Sequence, residues 1–159
     1  MTSEEAIQQF GLPAQATHRE VILHLLEKEI EREHQEIGDQ ELLRTFCAQL
    51  FSIGRVEDSL IIWSAKACNF DTMCGLDVQF LCGAGLRRTK EYLADAPAPT
   101  AADALEYLGK CEQAGDFTEF TAAKWLAHAR LYYGLDHWAM NTPTRLTMYW
   151  IRISPSLLC

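Results

Sequence analysis

Glu31 and His34 stand three residues apart in Glu31-Arg32-Glu33-His34, a spacing that places a carboxylate and an imidazole on one helical face. Helical di-iron bundles use two such pairs together with further glutamates. Here one pair lies at the charged end of an amphipathic stretch, so the expectation is a solvated face and no metal. Cys82-Gly83-Ala84-Gly85-Leu86-Arg87-Arg88 combines glycines with cations, as a phosphate-binding loop does. It lacks the Gly-Lys-Ser/Thr ending and the βα unit of such loops, and it reads as a turn between helices. A cysteine nucleophile needs a lowered pKa and a nearby base. Cys74 or Cys82, with His128 or His137 folded close, would supply one; the competing reading is buried core cysteine. Asp71 and Asp77 are a carboxylate pair suited to acid–base work, or else caps at a helix start. Trp63, Trp125, Tyr132 and Tyr133 would line a ligand groove, although aromatics at helical spacing usually belong to the core.

The elements that must position these groups are helical. Thr2-x-x-Glu5 and Thr17-x-x-Glu20 match the capping box, in which a hydroxyl and a carboxylate satisfy free N–H groups at a helix start. After Thr17 the apolar positions Val21, Ile22, Leu25, Leu26 and Ile30 make one stripe, with Glu27, Lys28, Glu31 and Arg32 on the wet side. Asp39 is a good N-cap for a helix over 40–53, and Gly54 a good C-cap. Further helices are expected over 56–68, 72–82, 86–94, 100–112 and 117–133, with Thr100-x-x-Asp103 restarting the chain after the loop at Pro97 and Pro99. The expected core includes Leu50, Leu60, Trp63, Leu81, Leu108 and Trp125. The stretch from Asn141 to Cys159 differs in being β-prone and aromatic, and is expected to be extended or disordered.

Gly54, Gly85 and Gly115 recur 31 and 30 residues apart, each after an apolar run. A period near thirty is the length of a helix–turn–helix unit that must stack on its neighbours to bury its second face. These hairpins resemble tetratricopeptide-type repeats. Cys47 and Ser59 match the small-residue positions where paired helices approach, and Val56 and Phe117 match the apolar position after the glycine. Lys90 and Phe120 depart from the pattern where the family prefers alanine, and no proline closes each repeat. The resemblance implies an all-α fold of stacked α-hairpins forming a right-handed superhelix in a single domain over residues 1–135, followed by a tail over 136–159. The stretches 62–66 and 77–85 are also similar to small bacterial proteins, a likeness that implies no activity. In the tetratricopeptide register the concave surface carries Arg44, Phe51, Gln79 and Glu112, which become the expected partner-binding residues.

A formal charge of −8 and a pI near 5.1 argue against nucleic acid and anionic membrane as partners, since both need a concentrated basic surface. No apolar run is long enough to span a bilayer, and the acidic N-terminal residues do not read as a signal peptide, so a cytoplasmic location is expected. Six cysteines without metal-ligand spacing then read as reduced apolar residues. The function expected from this set is an acidic protein-interaction scaffold with no cofactor, such as an inhibitor or immunity-type protein for a basic partner. The alternative is a small-molecule-binding or hydrolytic enzyme with a pocket between helices.

Overall fold

The computed structural model describes residues 1–136. The expectations for His137 and for the segment from Asn141 onward fall outside them. Eight α-helices run in order: α1 Ser3–Phe10, α2 Arg19–His34, α3 Gln40–Ile53, α4 Ser59–Lys66, α5 Phe70–Gly75, α6 Leu86–Asp95, α7 Pro99–Ala114 and α8 Ala122–Tyr132. Short 3-10 turns lie at Ala16–His18, Val56–Asp58 and Val78–Cys82, and no strand occurs among the described residues. The fold is all-α, and no described helix is long and apolar enough to cross a membrane.

Capping chemistry fixes several of these boundaries. Thr2 and Glu5 form both bonds of the capping box on α1, and the Asp39 carboxylate accepts from the backbone N–H groups of Glu41 and Leu42 at the start of α3. Gly54 and Gly115 take the left-handed conformation that ends α3 and α7, which a Cβ would resist. Other starts differ from expectation. Thr17 does not cap α2, which grows out of the 3-10 turn at Ala16–His18. Pro99 opens α7 at its first position, in place of a Thr100 box, because its missing N–H would have no helical partner there. Asn69, not Asp71, caps α5 through the N–H of Thr72.

Two expected helices are broken, each for a visible reason. The segment 72–82 stops at Gly75 and resumes as a 3-10 turn, with Leu76 and Asp77 extended between them. The carbonyls freed at this break find cations: Arg44 donates to Gly75 O at 2.9 Å, and Lys66 Nζ donates to Met73 O and to Leu76 O, the latter at 2.6 Å. Helix α8 begins at Ala122 instead of Phe117. Gly115 and Glu119 both have positive φ, so the chain turns twice before Thr121 caps the helix through the N–H of Lys124.

Helix α3 is the centre of the molecule, with Thr45–Phe51 all buried. Helix α2 packs along it, α1 and α8 rest against it, and α4 bridges to α7. The closest sequential pairs are α2 with α3 and α6 with α7, so the chain doubles back near Gly38 and Pro97 more fully than at Gly54. Leu50, Trp63, Leu81 and Leu108 lie in the core as expected, whereas Leu60 and Trp125 are only half-buried. Two acids also enter the interior. Glu29 Oε1 accepts from the N–H of Asp39 at 2.5 Å, and Glu33 Oε2 accepts from Asn69 Nδ2 at 2.8 Å. They hold the starts of α3 and α5 against α2, and so Glu33 is not part of the wet face of that helix.

Candidate functional site

The break at Leu76–Asp77 opens a cleft of about 970 Å3 between the 75–79 segment, the end of α7, the 115–121 turn and α8. Its volume lies in the range of ligand-binding cavities. Tyr107, Phe120 and Trp125 line it with aromatic rings and the buried Leu76 and Val78 form its aliphatic floor, while Asp77, Asp116 and Glu119 bring carboxylates and Lys124 and His128 basic groups. The rings of Phe120 and Trp125 stand 6.5 Å apart with their planes at 52°, and the His128 ring lies 5.7 Å from that of Trp125 at 31°. Phe80 braces Trp125 from behind at 6.4 Å.

Lys66 reaches this cleft from the end of α4 although the residue is only 2% exposed. Two carbonyls at the end of α5 accept from its ammonium, which also lies 5.3 Å from the centre of the Tyr107 ring. Burial depresses its pKa to about 8, opposed by the negative potential of Cys111, Asp77 and Asp116. Its chemical role is that of a cation closing a helix C-terminus, as favoured there by the exposed carbonyls and the helix dipole. Cys111 is hydrogen-bonded to Tyr107 and to Asp116, and burial pushes the phenol to about 12 and the thiol to about 11. Neither group is poised as a nucleophile near neutrality.

Of the expected catalytic groups, Cys74, Asp77 and His128 line the cleft, while Cys82 and Asp71 do not. Burial raises Cys82 to about 12, and Cys74 is disulfide-bonded, contrary to the expectation of a reduced thiol. Asp71 is exposed on α5, while Asp77 pairs with Arg44. Glu31 and His34 are exposed, and no group of three or more His, Cys, Asp or Glu among the described residues is arranged to hold a metal ion. Arg87 is exposed and pairs with Glu91 at 3.0 Å, as a surface helix pair does. Trp63 packs in the core 5.4 Å from Tyr107. Tyr133 accepts from Thr45 Oγ1 at 3.0 Å, and Tyr132 donates to Glu41 at 2.9 Å.

The four expected partner-binding residues do not form one surface. Phe51 is 2% exposed and meets Phe80 edge-on at 5.7 Å, so it belongs to the core. The guanidinium of Arg44 lies between the rings of Phe80 and Tyr132, at 5.3 and 4.8 Å, and pairs with Asp77. It is an internal tie that holds the 75–77 segment to α3. Gln79 does line the cleft, buried, with its amide donating to Asp116 O at 2.7 Å. Glu112 is exposed elsewhere on α7 and pairs with Lys90 at 2.5 Å.

Charge is distributed unevenly. Residues 1–41 hold ten of the 22 acidic side chains but three of the 14 lysines and arginines, and so carry seven of the eight net negative charges. On α2, Glu20, His24, Glu27 and Glu31 follow one another on a single exposed face. Val21 beside them is 50% exposed, and Ile37 beyond the end of the helix is 58% exposed. Sequence reasoning placed Glu27 and Glu31 on the wet side of α2 but missed the extent of the segregation, and it missed Lys66. A signal for each was present: a count by segment shows the first, and Ser59, Ile62, Trp63 and Lys66 form one helical stripe that is buried throughout. Comparison with protein-family models, curated proteins and solved structures finds no match.

Proposed function

We propose that the chain is a partner-binding module that engages a basic protein through the outward face of α1 and α2, as an inhibitor of the immunity type would. The observation that carries this reading is the set of exposed acids on α1 and α2, Glu4, Glu5, Glu20, Glu27 and Glu31, next to exposed Val21 and Ile37. Such a face attracts a cationic surface over several ångströms and raises the association rate, while apolar contacts at its edge slow dissociation. This reading takes α1 and α2 as the partner surface in preference to the concave set of Arg44, Phe51, Gln79 and Glu112. The proposal extends to architecture: α2 with α3 and α6 with α7 act as the stacked hairpins of a tetratricopeptide-like right-handed superhelix.

Capture from native lysate tests the reading, using the wild type beside a triple variant, Glu20→Gln with Glu27→Gln and Glu31→Gln. The three side chains are exposed, so the variant should keep wild-type stability to within about 0.5 kcal/mol. A basic protein retained by the wild type and lost from the variant supports the reading. Equal retention by both chains overturns it.

A further inference from the structure

The cleft at Leu76–Asp77 is already engaged. Leu76 and Val78 on its floor are 3% and 6% exposed, and Cys74 and His128 on its wall both have partners. The partner of Cys74 is covalent, because this residue is disulfide-bonded. The chain has six cysteines, of which Cys47, Cys68, Cys82 and Cys111 are free thiols. The sulfur left for Cys74 is that of Cys159.

The way back to Cys74 is short. The ring of Tyr132, at the end of α8, lies 4.8 Å from the guanidinium of Arg44, which donates to Gly75 O at 2.9 Å. Helix α8 therefore delivers the chain beside the end of α5, next to Cys74. The 23 residues from His137 to Cys159 can span roughly 75 Å when extended, so reach is no obstacle. That stretch has no carboxylate and is rich in aromatic and aliphatic residues, with Leu157 and Leu158 next to Cys159. Apolar side chains of this kind gain by leaving water, and the rings of Tyr107, Phe120 and Trp125 line the cleft beside Cys74.

We infer that Cys159 bonds to Cys74 and that the stretch 137–159 is the occupant of the cleft, held there as a redox-sensitive cover. Cys74 is exposed, so a soluble dithiol can reach the bond. One thiolate of the dithiol attacks a sulfur of the pair and breaks the S–S bond, and the second thiolate displaces the mixed disulfide. Two electrons and two protons pass to Cys74 and Cys159, and the dithiol leaves as its own disulfide. Reducing surroundings thus release the cover from the cleft, and oxidising ones hold it there. The cover acts independently of the acidic α1–α2 face.

The test begins with the full chain alkylated by iodoacetamide in denaturant without reductant, digested with trypsin and read by mass spectrometry. Peptide 67–87 should appear joined to peptide 153–159, with Cys68 and Cys82 alkylated and Cys74 in the bond. Hydroxyl-radical footprinting of the native protein then reads the cleft. Oxidation of Phe120 and Trp125 should be severalfold faster in Cys159→Ser than in the wild type, while exposed His24 on α2 is unchanged. Dithiothreitol should produce the same increase in the wild type, which keeps the test available if the variant fails to fold. Cys74 alkylated before reduction, or joined to another cysteine or to a second molecule, overturns the inference. So does equal oxidation of Phe120 and Trp125 with and without the bond.

Discussion

Gly83→Ala should destabilise the protein by about 3 kcal/mol, at the upper end for an overpacked interior. Gly83 has φ −58° and ψ −33°, a helical conformation that alanine prefers, so backbone propensity alone favours the substitution. The obstacle is the close approach of α3. A Cβ on Gly83 would stand 2.5 Å from Phe51 O and 3.1 Å from its carbonyl carbon and Cα. Relief needs roughly 1 Å of separation between two backbones in a close-packed core. The Phe51 carbonyl also accepts from Gly54 N at 3.1 Å in the cap of α3, so the strain reaches that cap. For a domain of this size the loss lowers Tm by roughly 10 °C, which calorimetry resolves easily. Gly109→Ala supplies the control. It lies inside α7 with nothing within 4 Å of its added Cβ, and should stabilise by about 0.5–1 kcal/mol. A Gly83→Ala protein that melts with the wild type would refute the packing of the 78–82 segment on α3, and with it the wall of the cleft.

Lys66→Met should change the pH dependence of stability. With a folded pKa of about 8 against 10.5 for the free side chain, the unfolded state binds more protons between those values, so this group adds stability as pH rises from about 8 to 10.5. The stability difference between wild type and variant should shift by up to about 3 kcal/mol in favour of the wild type across that window, measured by urea unfolding at each pH. A pH-independent difference would show that the amine is not buried as described. Asp58→Ala should cost about 2–4 kcal/mol in the same assay, since Asp58 is 2% exposed and takes a forked pair of bonds from Arg19, with Nη2–Oδ1 at 2.5 Å. An unchanged midpoint would show that the pair is solvated.

Much of the helical pattern was legible because capping and stripe spacing are local. Thr2, Asp39, Gly54 and Gly115 each do in the structure what their neighbours in sequence imply. The break after Gly75 was not legible, because it depends on Arg44 and Lys66 arriving from α3 and α4 to accept the burden of its free carbonyls. Phe51 was misplaced for a related reason. The repeat register treats α3 as one-sided, whereas α1, α2, α4 and α8 surround it and bury its whole circumference. Glu33 lies in a charged stretch of sequence yet is buried, because Asn69, distant in sequence, supplies its partner.

The most direct test of partner binding through the acidic face is the association rate of the captured partner, followed by stopped flow against ionic strength. The wild type should associate rapidly at low salt, and the rate should fall about tenfold or more as salt approaches physiological strength. The Glu20→Gln, Glu27→Gln, Glu31→Gln variant should start lower and show a flatter salt dependence, with its dissociation rate little changed. Identical rates and identical salt dependence in the two proteins would contradict the account.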